Sequence, residues 1–328
     1  LSELRWNPVL EEWVMTATHR QDRTFFPPPD YDPLAPTKPG GFPTEIPAPD
    51  YDIVVFENKF PSLRREPGEP AVDGTELTPV APAQGICEVV CYTPQLNAEL
   101  ATLPREKIEE LIYVWTDRFE ELGSRDFIRY VFIFENKGKE IGVTLSHPHG
   151  QIYAYPYIPT IPMRELSAAK RHFDRTGRDL LGDVLAQELE DGRRVVAQNE
   201  HFVAVVPFFA RYPYEVHILP RALRPALTDF DASEKRALSE ALKVVMEKYN
   251  NLWNRSMPYI MAMHQRPTDG SSQDYAYYRY HVEFYPPYRT PDKLKYLAGS
   301  EAGAGAYIND TLAEDTAAAL RDTAPALI

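Results

Sequence analysis

Residues 146–159 read Ser146-His147-Pro148-His149-Gly150-Gln151 followed by IYAYPYIP. The apolar run after Gln151 has the make-up of a strand. If the segment entering it is extended, His147, His149 and Gln151 point the same way. Pro148 offers no ladder donor, so the histidines belong at an edge, a strand start or a turn, and Gly150 lets backbone come close to a ligand. Such a place is open to substrate. An imidazole with one ring nitrogen held as N–H by an acceptor carries its lone pair on the other and is a nucleophile at neutral pH. Attack on phosphorus by His149 would give a phosphoramidate and split one substitution into two, with Gln151 donating to a phosphoryl oxygen.

The stretch has a counterpart later in the chain. Before it lie the apolar strands YDIVVFENKFPSL and GICEVVCYTP, a helix, and RYVFIFENKG. The second half repeats the order with HFVAVVPFF, YEVHILPR, a helix, YIMAMHQRP and YRYHVEFYPP, where His281 and Glu283 are two apart. The first helix places Ile108, Leu111, Ile112, Trp115, Phe119 and Leu122 on one stripe. The second does so with Leu238, Ala241, Leu242, Val245, Tyr249 and Leu252, and Asp231 three before Glu234 signals its N-terminus. Strand, strand, helix, strand, strand thus occurs twice. The period is too long for a solenoid and predicts a duplicated α+β fold, an antiparallel sheet with helices packed on it. We divide it into residues 1–185, carrying the histidine pair, and 186–328, ending in a Gly/Ala-rich tail from Gly299 that closes with a helix after about Thr311.

Composition narrows the function. With 35 Lys+Arg against 48 Asp+Glu the 328-residue chain has a net charge of −13, and 44% apolar residues are ample for a buried core. So negative a chain without a long basic cluster is a poor partner for nucleic acid or an anionic membrane. No apolar run approaches a bilayer span and the first residues lack a signal-peptide pattern, so a soluble cytoplasmic protein is expected. The two cysteines, Cys87 and Cys91, lie four apart on a predicted strand, about 13 Å from each other, and cannot pair. There is no CxxC. Nine of the 31 prolines fall in residues 27–49, which predicts a long ordered loop wrapped over the body.

Other polar groups are candidates for binding. Asn136, in the strand-to-turn sequence FENKG, presents an amide to an anion or is simply part of a turn. His19, Arg20 and Arg23 follow a short strand; they form a phosphate grip or a solvated basic turn. Glu165, His264, His281 and Glu283 make a ligand set suited to zinc or iron, with an ion-pair cluster as the equal alternative.

Taken in order, the Arg-containing strand end, FENKFPSL, the CYTP strand, FENKG, HPHGQIYAYPYIP, HVEFYPP and YLAGSE resemble the galactose-1-phosphate uridylyltransferase family, a branch of the histidine-triad superfamily. The resemblance implies a duplicated histidine-triad-like fold, usually a homodimer, and ping-pong exchange of UMP between UDP-glucose and galactose 1-phosphate through a uridylyl-histidine, here His149. It implies that the His147 carbonyl holds the nucleophile's other N–H and that Gln151 binds the transferred phosphoryl group. Arg20, Arg23, Asn58 and Phe60 would lie near the nucleotide, Asn136 and Thr144 near phosphates, and Lys295, Gly299 and Glu301 against the hexose phosphate. Three departures stand out. Asp32-Pro33-Leu34-Ala35 replaces a CxxC pair and Leu96 a histidine, so the CxxC-type zinc site is predicted absent, its structural work done by packing of the proline-rich loop. A second, structural metal site would be Glu165, His264, His281 and Glu283, with glutamate in place of a usual histidine. AGAGAYIND stands where a hexose-contacting glutamine is expected, which bears on the identity of the sugar.

Close variants keep the nucleotidyl-histidine but use another nucleotide or acceptor, as in an ADP-sugar phosphorylase, or hydrolyse the nucleotide. A different class is a non-catalytic metal or sugar-phosphate binding protein with His147 and His149 as a ligand pair. The proline between the histidines and the glycine after them suit a nucleophile turn better than a regular barrel strand.

Overall fold

The computed structural model describes residues 2–22, 27–28 and 31–325. In chain order the strands of its two main sheets are β1 (Ser2–Asn7), β2 (Glu12–Ala17), β3 (Val54–Glu57), β4 (Val80–Pro82), β5 (Ile86–Cys91), β6 (Tyr130–Lys137), β7 (His149–Tyr155), β8 (Val195–Gln198), β9 (Phe202–Val205), β10 (Val216–Pro220), β11 (Tyr259–His264) and β12 (His281–Tyr285). The helices are α1 (Arg105–Gly123), α2 (Thr160–Thr176), α3 (Leu180–Asp191), α4 (Ala232–Leu252) and α5 (Ala313–Arg321). None of the described helices is long and apolar enough to cross a membrane.

Nine strands form one antiparallel sheet in the order β3-β5-β7-β6-β11-β12-β10-β9-β8, and β2-β1-β4 make a small second sheet. The duplication is visible in that order. Each half runs strand, strand, helix, strand, strand, and the two meet at β6 and β11 as mirror-ordered sets, β3-β5-β7-β6 and β11-β12-β10-β9. The fold is therefore α+β as expected. The division expected at 185/186 falls within α3.

Alternation along β7 assigns the two faces of the sheet. Ile152 and Ala154 join Val131, Ile133, Ile218 and Val216 in the main core under α1 and α4. All six apolar residues of the α1 stripe are buried there; each contributes roughly 1.5–3 kcal/mol. Helix α4 starts with reciprocal caps: the Glu234 N–H donates to Asp231 at 2.9 Å and the Asp231 N–H to Glu234 at 2.9 Å. The opposite face carries the polar residues. One cross-strand row on it runs Gln151, Phe134, Ala262, Glu283, His217.

The proline-rich segment packs on that face. Leu34 and Ile46 are buried against Val89 and Cys91, with Tyr51 beside them. Cys87 and Cys91 are both buried free thiols. Helices α2 and α3, which the periodicity did not reveal, pack on each other and carry Glu165 to the second half.

Candidate active site

Strand β7 begins at His149, so the alternation puts His149 and Gln151 on one face while His147 precedes the strand and is buried, 1% exposed. His149 Nδ1 lies 2.7 Å from the His147 carbonyl oxygen. A carbonyl only accepts, so Nδ1 carries the proton and Nε2 the lone pair. The His147 ring has partners of its own: Nδ1 is 2.6 Å from Asp32 Oδ2, and Nε2 is 2.7 Å from the Tyr51 hydroxyl and 2.8 Å from the Thr93 carbonyl. At Gly150 the close neighbour is protein rather than ligand, for an added Cβ would stand 2.2 Å from the Tyr92 hydroxyl.

A cavity of about 790 Å³ opens beside His149, and Asn136 and Thr144 line it together with Lys137, Lys139 and Ser146. The turn after Asn136 depends on Gly138, whose φ of 98° is unfavourable for other residues and whose missing side chain admits Pro258. On the sheet face next to Gln151, Asn58 Nδ2 lies 3.5 Å from Gln151 Oε1, and Asn58 Oδ1 accepts the Phe60 N–H at 2.9 Å. Arg20 donates to the Phe60 carbonyl at 2.9 Å and to Ser62 Oγ at 3.0 Å. Arg20, Asn58, Phe60 and Gln151 are thus joined in one chain of contacts. Arg23 lies outside the described residues.

Lys295, Gly299 and Glu301 do not line this cavity. They belong to a turn of their own in which Lys295 Nζ donates to Glu301 at 3.2 Å. The backbone N–H groups of Ala298 and of Glu301 itself bring that carboxyl down to about 2. An added Cβ at Gly299 would meet nothing within 4 Å.

Glu165, His264, His281 and Glu283 do converge: one potential ligand atom from each lies within 4.8 Å of all the others. His264 Nδ1 is 2.9 Å from Glu165 Oε2, and the two imidazoles stack with centroids 4.8 Å apart. His281 Nδ1 is 3.1 Å from the Arg279 carbonyl, which turns Nε2 toward both carboxylates. The donor set fits a zinc or iron ion, including the outer hydrogen bond that commonly orients a ligating histidine. Burial opposes ionisation of Glu283, yet His217, His264 and His281 more than offset it and keep the carboxyl well below its ordinary range. Three neighbours escaped the sequence reading: His217, 3.2 Å from Glu283, Glu215, 2.8 Å from His217, and Arg211, 3.1 Å from Glu283. The two-residue spacing of Glu215 and His217 on an apolar strand was the signal.

The N-terminal domain family of galactose-1-phosphate uridyl transferase matches residues 1–159, and the C-terminal domain family matches residues 165–326. A galactose-1-phosphate uridylyltransferase of Thermotoga maritima is 40% identical over 325 residues, covering 98% of this chain and 99% of its own length. A solved uridylyltransferase structure superposes with a TM-score of 0.84 at 33% identity, covering 97% of both chains. An ADP-glucose phosphorylase from Arabidopsis thaliana shares the fold, with a TM-score of 0.72 at 24% identity over 99% of this chain and 100% of its own.

Proposed function

The chain belongs to the galactose-1-phosphate uridylyltransferase family, and from that premise we propose that it exchanges UMP between UDP-glucose and galactose 1-phosphate through a uridylyl group on His149. The observation that carries this reading is the 2.7 Å contact of His149 Nδ1 with the His147 carbonyl, beside a cavity of about 790 Å³.

The chemistry balances without a separate base. The Nε2 lone pair attacks the α-phosphorus of UDP-glucose, an N–P bond forms, and the bond to the bridging oxygen breaks as glucose 1-phosphate leaves. The ring becomes cationic, and the hydrogen bond from Nδ1 to the His147 carbonyl strengthens as it does so. A phosphate oxygen of galactose 1-phosphate then attacks the same phosphorus and the electron pair returns to Nε2. That nucleophile is already an anion, so no proton need be removed. Gln151 donates to a non-bridging oxygen of the transferred group, with Asn58 orienting its amide from the opposite end. Asn136 and Thr144 hold phosphates from the cavity wall, and Arg20, Asn58 and Phe60 stand on the nucleotide side, where Arg23 also belongs in this reading.

Glu165, His264, His281 and Glu283 hold one zinc or iron ion in the proposal. When bound, the ion supplies structural rigidity, tying α2 to β11 and β12. Residues 1–185 carry the nucleophile, and 186–328 supply three metal ligands and the turn with Lys295, Gly299 and Glu301. That turn does not line the cavity of its own chain, and we assign it to the hexose phosphate of a neighbouring subunit in a cytoplasmic homodimer.

Initial rates measured while UDP-glucose and galactose 1-phosphate are varied test the proposal. Parallel double-reciprocal lines, with UDP-galactose and glucose 1-phosphate formed in equal amounts, support it. Intersecting lines remove the covalent step. A preference for ADP-glucose with inorganic phosphate would move the activity to an ADP-sugar phosphorylase, and absence of turnover with every nucleotide sugar would leave a binding protein.

A further inference from the structure

The nucleophile is only as well placed as the carbonyl that holds it, and that carbonyl belongs to a residue whose side chain is clamped from the proline-rich segment. Both His147 ring nitrogens face acceptors: Asp32 Oδ2 at 2.6 Å from Nδ1, and the Thr93 carbonyl at 2.8 Å from Nε2. The Tyr51 hydroxyl lies 2.7 Å from Nε2, 2.9 Å from the Thr93 carbonyl and 3.0 Å from the Leu34 carbonyl. Asp32 is itself fixed, because its Oδ1 accepts the Leu34 N–H at 3.0 Å. Leu34, whose N–H and C=O both enter this network, is 2% exposed and packs with Ile46, Val89 and Cys91. The ring is therefore held at two points by groups that are buried or anchored, and one residue fixes both loop contacts to the sheet.

We propose that Asp32 and Tyr51 are positioning residues for the transferase reaction, acting through His147 to place the carbonyl that fixes the tautomer and orientation of His149. The inference rests on His149 being the nucleophile. It gives the proline-rich loop a part in catalysis beyond covering the sheet. Where the family resemblance implies a zinc site, hydrogen bonds from this chain's own side chains perform the bracing. The geometry predicts an effect on kcat rather than KM, because Asp32, although it lines the cavity, directs its carboxylate to His147 Nδ1 and the Leu34 N–H, and Tyr51 does not line the cavity. Burial, with Cys91 and Asp32 adding to it, raises the Tyr51 phenol well above its ordinary range, so it keeps its proton throughout the working pH.

The test compares Asp32→Ala, Asp32→Asn and Tyr51→Phe in the full-length protein. Stopped-flow release of glucose 1-phosphate measures the first half-reaction, and long-range 1H–15N spectra of the histidines report the His149 tautomer without any turnover. Asp32→Ala is expected to slow the half-reaction by roughly 10- to 100-fold, the scale of a misplaced reacting group, with KM for UDP-glucose within about 2-fold of the parent. Asp32→Asn, which keeps an acceptor oxygen near His147 Nδ1, should recover most of that loss. The His149 spectrum should change from the Nδ1–H form to a mixture in Asp32→Ala, and less so in Tyr51→Phe. Unchanged rate and unchanged His149 signals in both Asp32→Ala and Tyr51→Phe overturn the inference. If Asp32→Ala does not fold, Tyr51→Phe decides alone. If the parent protein releases no glucose 1-phosphate, the assignment of the reaction fails, while the spectra still decide whether the loop sets the state of His149.

Discussion

Gln151 and Glu283 stand in one cross-strand row on the same face of the sheet, separated only by Phe134 and Ala262. They occupy equivalent strands of the two halves: β7 and β12 are each the last strand of their repeat, and each begins with a histidine two residues earlier. In the proposed function one copy carries the nucleophile, His149, and the other supplies three of the four residues of the Glu165, His264, His281 and Glu283 cluster.

From that separation of tasks, losing the cluster should cost stability before chemistry. Glu283→Ala and Glu165→Ala are each expected to lower bound zinc or iron from about one equivalent to near zero. Each should lower the melting temperature and leave part of the transferase rate. Elemental analysis and calorimetry of protein prepared without chelator check this. Two equivalents in the parent, or unchanged content in both variants, would contradict it.

Gln151 itself is expected to matter for rate. Gln151→Ala should reduce kcat/KM by about 10²- to 10³-fold, the usual scale for removing one donor to a developing charge. Asn58→Ala, which loses the group 3.5 Å from the Gln151 carbonyl and the acceptor of the Phe60 N–H, should lose less. Steady-state kinetics of the two variants and their double mutant decide it; additive losses would show that Asn58 does not act through Gln151.

Gly150 gives a packing prediction with a rescue. Alanine there would place Cβ 2.2 Å from the hydroxyl of the fully buried Tyr92. Gly150→Ala should destabilise by about 1–3 kcal/mol and displace the adjoining His149. Tyr92→Phe, which removes the obstructing oxygen, should restore part of both stability and rate. Thermal melts and kinetics of the pair are the measurement, and a double mutant no better than Gly150→Ala would count against this contact.

Much of this arrangement was legible in the chain itself. The α1 and α4 stripes, the doubled strand order and the Asp231 cap are local periodicities, and each reappears in the structure. Helix α2 was not read, because its buried residues, Pro162, Leu166 and Ala169, form a narrow stripe among charged neighbours. Helix α3 carried a signal in Asp179, whose side chain accepts the Gly182 N–H at 2.6 Å. The contacts of His147 with Asp32 and Tyr51 are different in kind. They join residues 115 and 96 positions apart, and no local pattern specifies which loop will meet a given histidine. The same holds for Arg211 and Glu283, brought together only by the folding of the second half.

Glu135 provides a pH test of the core beside the cavity. Burial pushes its carboxyl from the ordinary 4.5 up to about 8, and the Tyr259 hydroxyl donates to it at 3.4 Å. A carboxyl raised in the folded state binds its proton there to higher pH than in the unfolded chain, so folding stability falls as pH rises from about 4.5 to about 8. Glu135→Gln keeps an acceptor for Tyr259 and has no charge to bury. Its melting temperature should exceed the parent's at pH 8.5 by several degrees, and the gap should shrink toward pH 5.5. A gap independent of pH would exclude this origin.

The proposed reaction requires a covalent bond between His149 and phosphorus. Intact-protein mass spectrometry after incubation with UDP-glucose alone, followed by peptide mapping under basic conditions that preserve a phosphoramidate, tests it directly. One added uridylyl group per chain is expected on the peptide containing His149, removed by galactose 1-phosphate and absent from His149→Ala. An unmodified chain that still interconverts the sugars, or a uridylyl group mapped to any other residue, would contradict it.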